Sequence, residues 1–113
     1  MRSLDPESTN MEANMSEKKL TVVALFYGRK GMAKGLKDEL MKLISPTRKE
    51  DGCIEYRLHQ CSNIPENFMF YENWLSKEHL DAHLKTPHLM SLGPKIEKFL
   101  AEPVKVTFLE ELD

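Results

Sequence analysis

A chain of 113 residues and 13.1 kDa has the size of one domain and leaves no room for a catalytic domain joined to a regulatory one. Its 41% hydrophobic and 30% charged residues are ordinary for a globular fold, and no apolar run approaches the roughly 20 residues that span a bilayer. A formal net charge of −2 excludes the basic surface that nucleic acid or an anionic membrane would require.

Residues 1–17 hold a single large aliphatic side chain, Leu4, and three candidate initiators, Met1, Met11 and Met15. This predicts a disordered leader or a segment left by cloning, without the basic and apolar regions of a secretory signal. The folded domain is expected over residues 18–113. Because the leader carries one Arg and four acids, the domain alone has a net charge of +1 against −2 for the whole chain.

Leu20 to Tyr27 is apolar on both alternating faces, which predicts a first strand covered on both sides. Gly28-Arg29-Lys30-Gly31 then turns the chain. From Met32 the spacing becomes helical, with Ala33, Leu36, Leu40, Leu43 and Ile44 on one face, and Pro46 is expected to end or kink that helix. The charged run Thr47 to Gly52 closes on an Asp-Gly turn signal. Cys53 to Gln60 alternates Ile54, Tyr56 and Leu58 with Glu55, Arg57 and His59, a second strand hairpinned to an aromatic third strand over Phe68 to Trp74. Ser76 is a plausible N-cap for a helix with Leu80 and Leu84 inward, limited by Pro87. A further helix broken near Gly93-Pro94 should bury Leu92, Ile96, Phe99 and Leu100, before a fourth strand over Val104 to Leu109.

The order β-α-β-β-α-(α)-β predicts an α+β fold, a ferredoxin-like split βαβ domain with helices on one face of a four-stranded antiparallel sheet. Strand one carries Val22, Ala24 and Phe26 on one side and Val23, Leu25 and Tyr27 on the other, so a second copy is expected to cover the open face as a homodimer. Cys53 and Cys61 lie about eight extended residues apart, on the order of 25 Å, whereas a disulfide needs Cα atoms within about 7 Å. Free thiols and a cytoplasmic location are expected.

Glu72 and Trp74 share a strand face with Phe68 and Phe70, and His83 falls at the edge of the next helix's buried face, with His79 nearer to solvent. A pocket lined by Trp74, Glu72 and His83, with His88 arriving after the Thr86-Pro87 bend and Phe70 and Phe26 adding aromatic surface, would suit proton abstraction from a flat phenolic substrate. The same residues fit a blander account of packing histidine, buried indole and satisfied carboxylate. His79, His83 and His88 lack a His-Glu-x-x-His motif, a nearby Cys pair or an acidic third ligand at motif spacing, so no metal is expected. The Gly28 to Gly31 turn matches neither the Walker nor the dinucleotide pattern.

Leu20 to Phe26 with Gly31, the run Arg48-Lys49-Glu50-Asp51-Gly52-Cys53-Ile54-Glu55-Tyr56, the run Phe70-Tyr71-Glu72-Asn73-Trp74, and His79 to His88 together resemble the antibiotic-biosynthesis-monooxygenase family, particularly its small quinol-monooxygenase-like members. The resemblance implies a dimeric α+β barrel with a pocket in each protomer. It also implies oxidation of quinol-like or phenolic small molecules by O₂ with no cofactor, with His83 as base, Trp74 as aromatic wall and Glu72 as orienting carboxylate. Haem-degrading members carry an Asn on strand one that is missing between Leu20 and Gly31, which argues against haem turnover. An isomerase of a small phosphorylated ketone, or a non-catalytic dimeric module for ligand binding or stress response, are the alternatives.

Overall fold

The computed structural model describes residues 18–113, so the expected leader lies outside the described residues. Strands β1 (Leu20–Tyr27), β2 (Cys53–Gln60), β3 (Asn67–Trp74) and β4 (Lys105–Leu109) form one sheet in the order β2-β3-β1-β4, antiparallel throughout. Helices α1 (Ala33–Met41), α2 (Ile44–Arg48), α3 (Lys77–Leu84), α4 (Pro87–Met90) and α5 (Leu92–Ile96), with a 3₁₀ turn at Glu97–Phe99, fill the connections. The two central strands are the two with the richest apolar patterns, and each is separated from its crossover partner by one strand, as a split βαβ unit requires. None of the described helices is long and apolar enough to cross a membrane.

Strand register decides which residues can meet. Val22 opposes Glu72 and Phe108, Ala24 opposes Phe70 and Val106, and Tyr56 opposes Glu72, so these side chains share one sheet face. The helices pack there through Leu36, Leu40, Leu43, Leu80, Leu92 and Ile96, all buried against Phe26, Phe68, Phe70 and Trp74. Full burial of each such side chain contributes about 1.5–3 kcal/mol.

Four local expectations need correction. Pro46 does not end the first helix; the break falls at Lys42-Leu43, and Pro46 is the third residue of α2. Pro94 is likewise the third residue of α5, and the break precedes it at Ser91. A first helical turn has no intrahelical use for its N–H groups, so proline loses nothing there. In β2, a bulge between Cys53 and Glu55 takes Ile54 out of the alternation and leaves it 48% exposed, while Tyr56 is 2% exposed. Leu84 is not inward but 51% exposed.

Candidate functional site

Trp74 and His83 stand at the centre of the site, both essentially inaccessible. Ser76 caps α3 by accepting the His79 amide, which sets the helix phase and turns Leu80 and His83 to the sheet. The His83 ring lies 4.5 Å from the Trp74 ring and 5.5 Å from that of Tyr56, centroid to centroid. After α3, Thr86 donates to the His83 carbonyl and caps α4, and Pro87 at the first position of that helix brings His88 back toward His83.

Glu50, from the turn between α2 and β2, joins the two imidazoles. Its Oε2 lies 2.9 Å from His83 Nδ1 and 2.6 Å from His88 Nε2. A carboxylate only accepts, so His83 Nδ1 carries the ring proton and Nε2 keeps the lone pair. Burial pushes the His83 pKa below its ordinary value, with Glu50 opposing, so the imidazole is neutral at neutral pH.

Glu72 does not orient His83. It accepts the Trp74 indole N–H at 2.9 Å, and burial pushes its pKa up to about 7 against that hydrogen bond, with the Glu50 charge adding to the rise. Burial likewise raises the Tyr56 phenol, which stays protonated, and lifts the Cys53 thiol to about 11, with the Glu50 charge next in effect. Cys53 and Cys61 are both free; Cys53 is a thiol rather than a reactive thiolate.

These groups border a cavity of about 410 Å³ between sheet and helices, within the usual range for small-molecule sites. His83, Glu72, Phe70, Phe26 and Tyr56 line it, and Val106 and Phe108 of β4 form an exposed wall. Of the residues singled out from sequence, His83, Glu72, Phe70 and Phe26 thus share one chamber. Trp74 lies behind His83, and His88 lies on the far side of Glu50, outside the lining. Sequence reasoning passed over Glu50 and Tyr56, although both fall in the Arg48 to Tyr56 stretch that carries the family resemblance.

Folded Glu72 titrates near 7 and an unfolded glutamate near 4.5, so the native state holds the extra proton between those values. Stability therefore falls as pH rises through this window, by a total on the order of 3 kcal/mol. Glu72→Gln keeps an acceptor for Trp74 and removes the titration. Its thermal midpoint should change several degrees less between about pH 5 and about pH 8 than that of wild type; equal changes would mean Glu72 ionises like an exposed carboxylate.

Comparison with known proteins agrees with the fold. "Putative monooxygenase Rv0793" of Mycobacterium tuberculosis is 35% identical over 94 residues, 83% of this chain and 92% of the relative. Its solved structure superposes with a TM-score of 0.80, covering 85% of this chain and 97% of that one. PA3566 from Pseudomonas aeruginosa is 32% identical, with a TM-score of 0.81 over 87% of this chain and 98% of that chain. "Probable quinol monooxygenase YgiN" of Escherichia coli K12 is 31% identical over 88 residues, covering 69% of this chain and 85% of the relative. The names point to monooxygenation as the kind of chemistry. Residues 19–90 match the model described as antibiotic biosynthesis monooxygenase, and the chain belongs to that family.

Proposed function

We propose that this protein is a monooxygenase of quinol-like or phenolic small molecules that needs no cofactor, with His83 as the general base. The observation that carries this reading is a buried, neutral imidazole whose Nδ1 is held by Glu50 while the ring lines an apolar cavity. Its Nε2 lone pair is then the acceptor for a substrate hydroxyl proton. The phenolate so formed is electron-rich and reduces O₂ itself, leaving the protein to desolvate and orient it. For a hydroquinone the balance is C₆H₆O₂ + O₂ giving the hydroxyquinone C₆H₄O₃ and water, one oxygen atom going to each product. Glu72, holding a proton near neutrality, would hydrogen-bond a second substrate oxygen.

Of the side chains that would fill the chamber of a non-catalytic module, Met90 is 68% exposed and Phe68 lies outside the lining, which supports the reading, whereas Phe70 lines the chamber and Trp74 does not share it with His83. A closed, side-chain-filled space would have favoured a non-catalytic module. The test is oxygen uptake by purified protein, stripped of metals and cofactors, across hydroquinones and naphthols; no uptake above background with any of them would sink the proposal.

A homodimer in the cytoplasm completes the proposal, the two free cysteines suiting a reducing compartment. On the sheet face opposite the helices, Val23, Leu25, Tyr27, Met69 and Tyr71 are each only half-buried within one chain. A second sheet laid across that face would cover them. Light scattering at micromolar concentration should give about twice the monomer mass, and a monodisperse monomer would overturn this part.

A further inference from the structure

Glu50, His83 and His88 come from three separate segments, and one ligating atom from each lies within 4.8 Å of the others. The set is two imidazoles and one carboxylate, the donors that zinc-class divalent ions favour at three-ligand sites. His88 Nε2 and His83 Nδ1 already converge on Glu50 Oε2, at 2.6 and 2.9 Å. Metal–ligand bonds of about 2.0–2.1 Å in a tetrahedron put neighbouring donors about 3.3 Å apart. The Glu50 Oε2 separations widen by about 0.4 Å from His83 and about 0.7 Å from His88 as the ion replaces the shared protons. The His83 and Glu50 side chains are 2% and 13% exposed, whereas that of His88 is 23% exposed, which gives the ion an entry side and water a fourth position.

We propose that Glu50, His83 and His88 form a binding site for a divalent transition metal of the zinc class, on the side of His83 away from the cavity. Its consequence rests on the function proposed above. A metal on Nδ1 forces the ring proton onto Nε2, so the nitrogen facing the cavity becomes a donor and His83 can no longer accept a proton. Metal binding therefore switches the base off, and a chelator switches it back on.

Chelator-treated full-length protein titrated with Co²⁺ should bind one ion per chain and develop the visible absorption of tetrahedral cobalt, and Zn²⁺ should displace it. Glu50→Gln and His88→Ala, checked as folded by circular dichroism, should each weaken binding by at least about tenfold, while His59→Ala, on the exposed side of β2, should leave it unchanged. Absence of saturable Co²⁺ binding by wild type, or wild-type affinity retained in both ligand variants, would refute the site. In the oxygen-uptake assay, Zn²⁺ should stop wild-type turnover reversibly. If wild type shows no turnover the proposed function fails, yet the cobalt titration still decides whether the metal site exists.

Discussion

Replacing His83 by alanine or asparagine is expected to lower oxygen uptake with a hydroquinone by about 10²–10⁴, the usual loss when a positioned base is removed. The two variants separate chemistry from packing. His83→Ala leaves a void beside Trp74 and strips Glu50 of one donor, so it also costs stability on the order of 1–3 kcal/mol. His83→Asn restores an amide donor to Glu50 but no base. If His83 acts as base, both lose turnover while only the alanine variant loses much of its thermal stability. His79→Ala is the control, because that ring hydrogen-bonds Ser76 and faces Asp51 rather than the cavity. Should His83→Asn keep wild-type uptake, His83 is a packing residue and the assignment fails.

The largest loss of stability is expected from Gly52→Ala. Gly52 has φ of +82°, and a β-carbon there would sit 2.2 Å from two ring carbons of His79 and 2.7 Å from its Cβ. The left-handed conformation costs a non-glycine residue about 1–2 kcal/mol, and the clash adds roughly 1–3 kcal/mol. Nothing cheap can yield, because His79 is fixed in α3 and the Gly52 carbonyl accepts the Leu75 amide that starts the connection to it. The same turn carries Glu50, so the strain reaches the imidazole pair as well as the fold. Denaturant unfolding should show a deficit of about 2–5 kcal/mol for Gly52→Ala. Gly93→Ala, where a β-carbon meets nothing within 4 Å, should be neutral or slightly stabilising. Equal stability of the two variants would mean that the turn relaxes at no cost.

The strands were legible because their signal is local: a nearly continuous apolar run from Leu20 to Tyr27 and a period-two alternation over Cys53 to Gln60 need no knowledge of what lies opposite. Helix ends were less legible at Pro46 and Pro94, because proline reads equally as a stop and as a first-turn residue. The bulge at Ile54 is set by how β2 must meet Trp74 and Asn73, and no pattern within β2 announces it. At the site, His83 could be read from helix phase, but its partner could not. Glu50 lies 33 residues from His83 and 38 from His88, in a run of charges that looks like a solvated turn. Only the crossover of α2 and β2 against α3 turns that carboxylate inward. Glu72 was the natural candidate in its place because it is two residues from Trp74, and that short spacing is what gives it the indole N–H instead.

β4 has a bearing on how such a protein could change. It is a five-residue strand at the sheet margin, paired only to β1, and it supplies Val106 and Phe108 to the chamber while His83, Glu50 and Glu72 come from elsewhere in the chain. Both wall residues are more than half exposed, at 55% and 56%, so their replacement disturbs little of the core. If the chamber takes the substrate proposed above, its β4 wall and the proton-handling groups are separately mutable parts of the molecule. On that reading, a lineage could exchange one aromatic compound for another by altering two side chains on β4, leaving the imidazole and its carboxylate untouched.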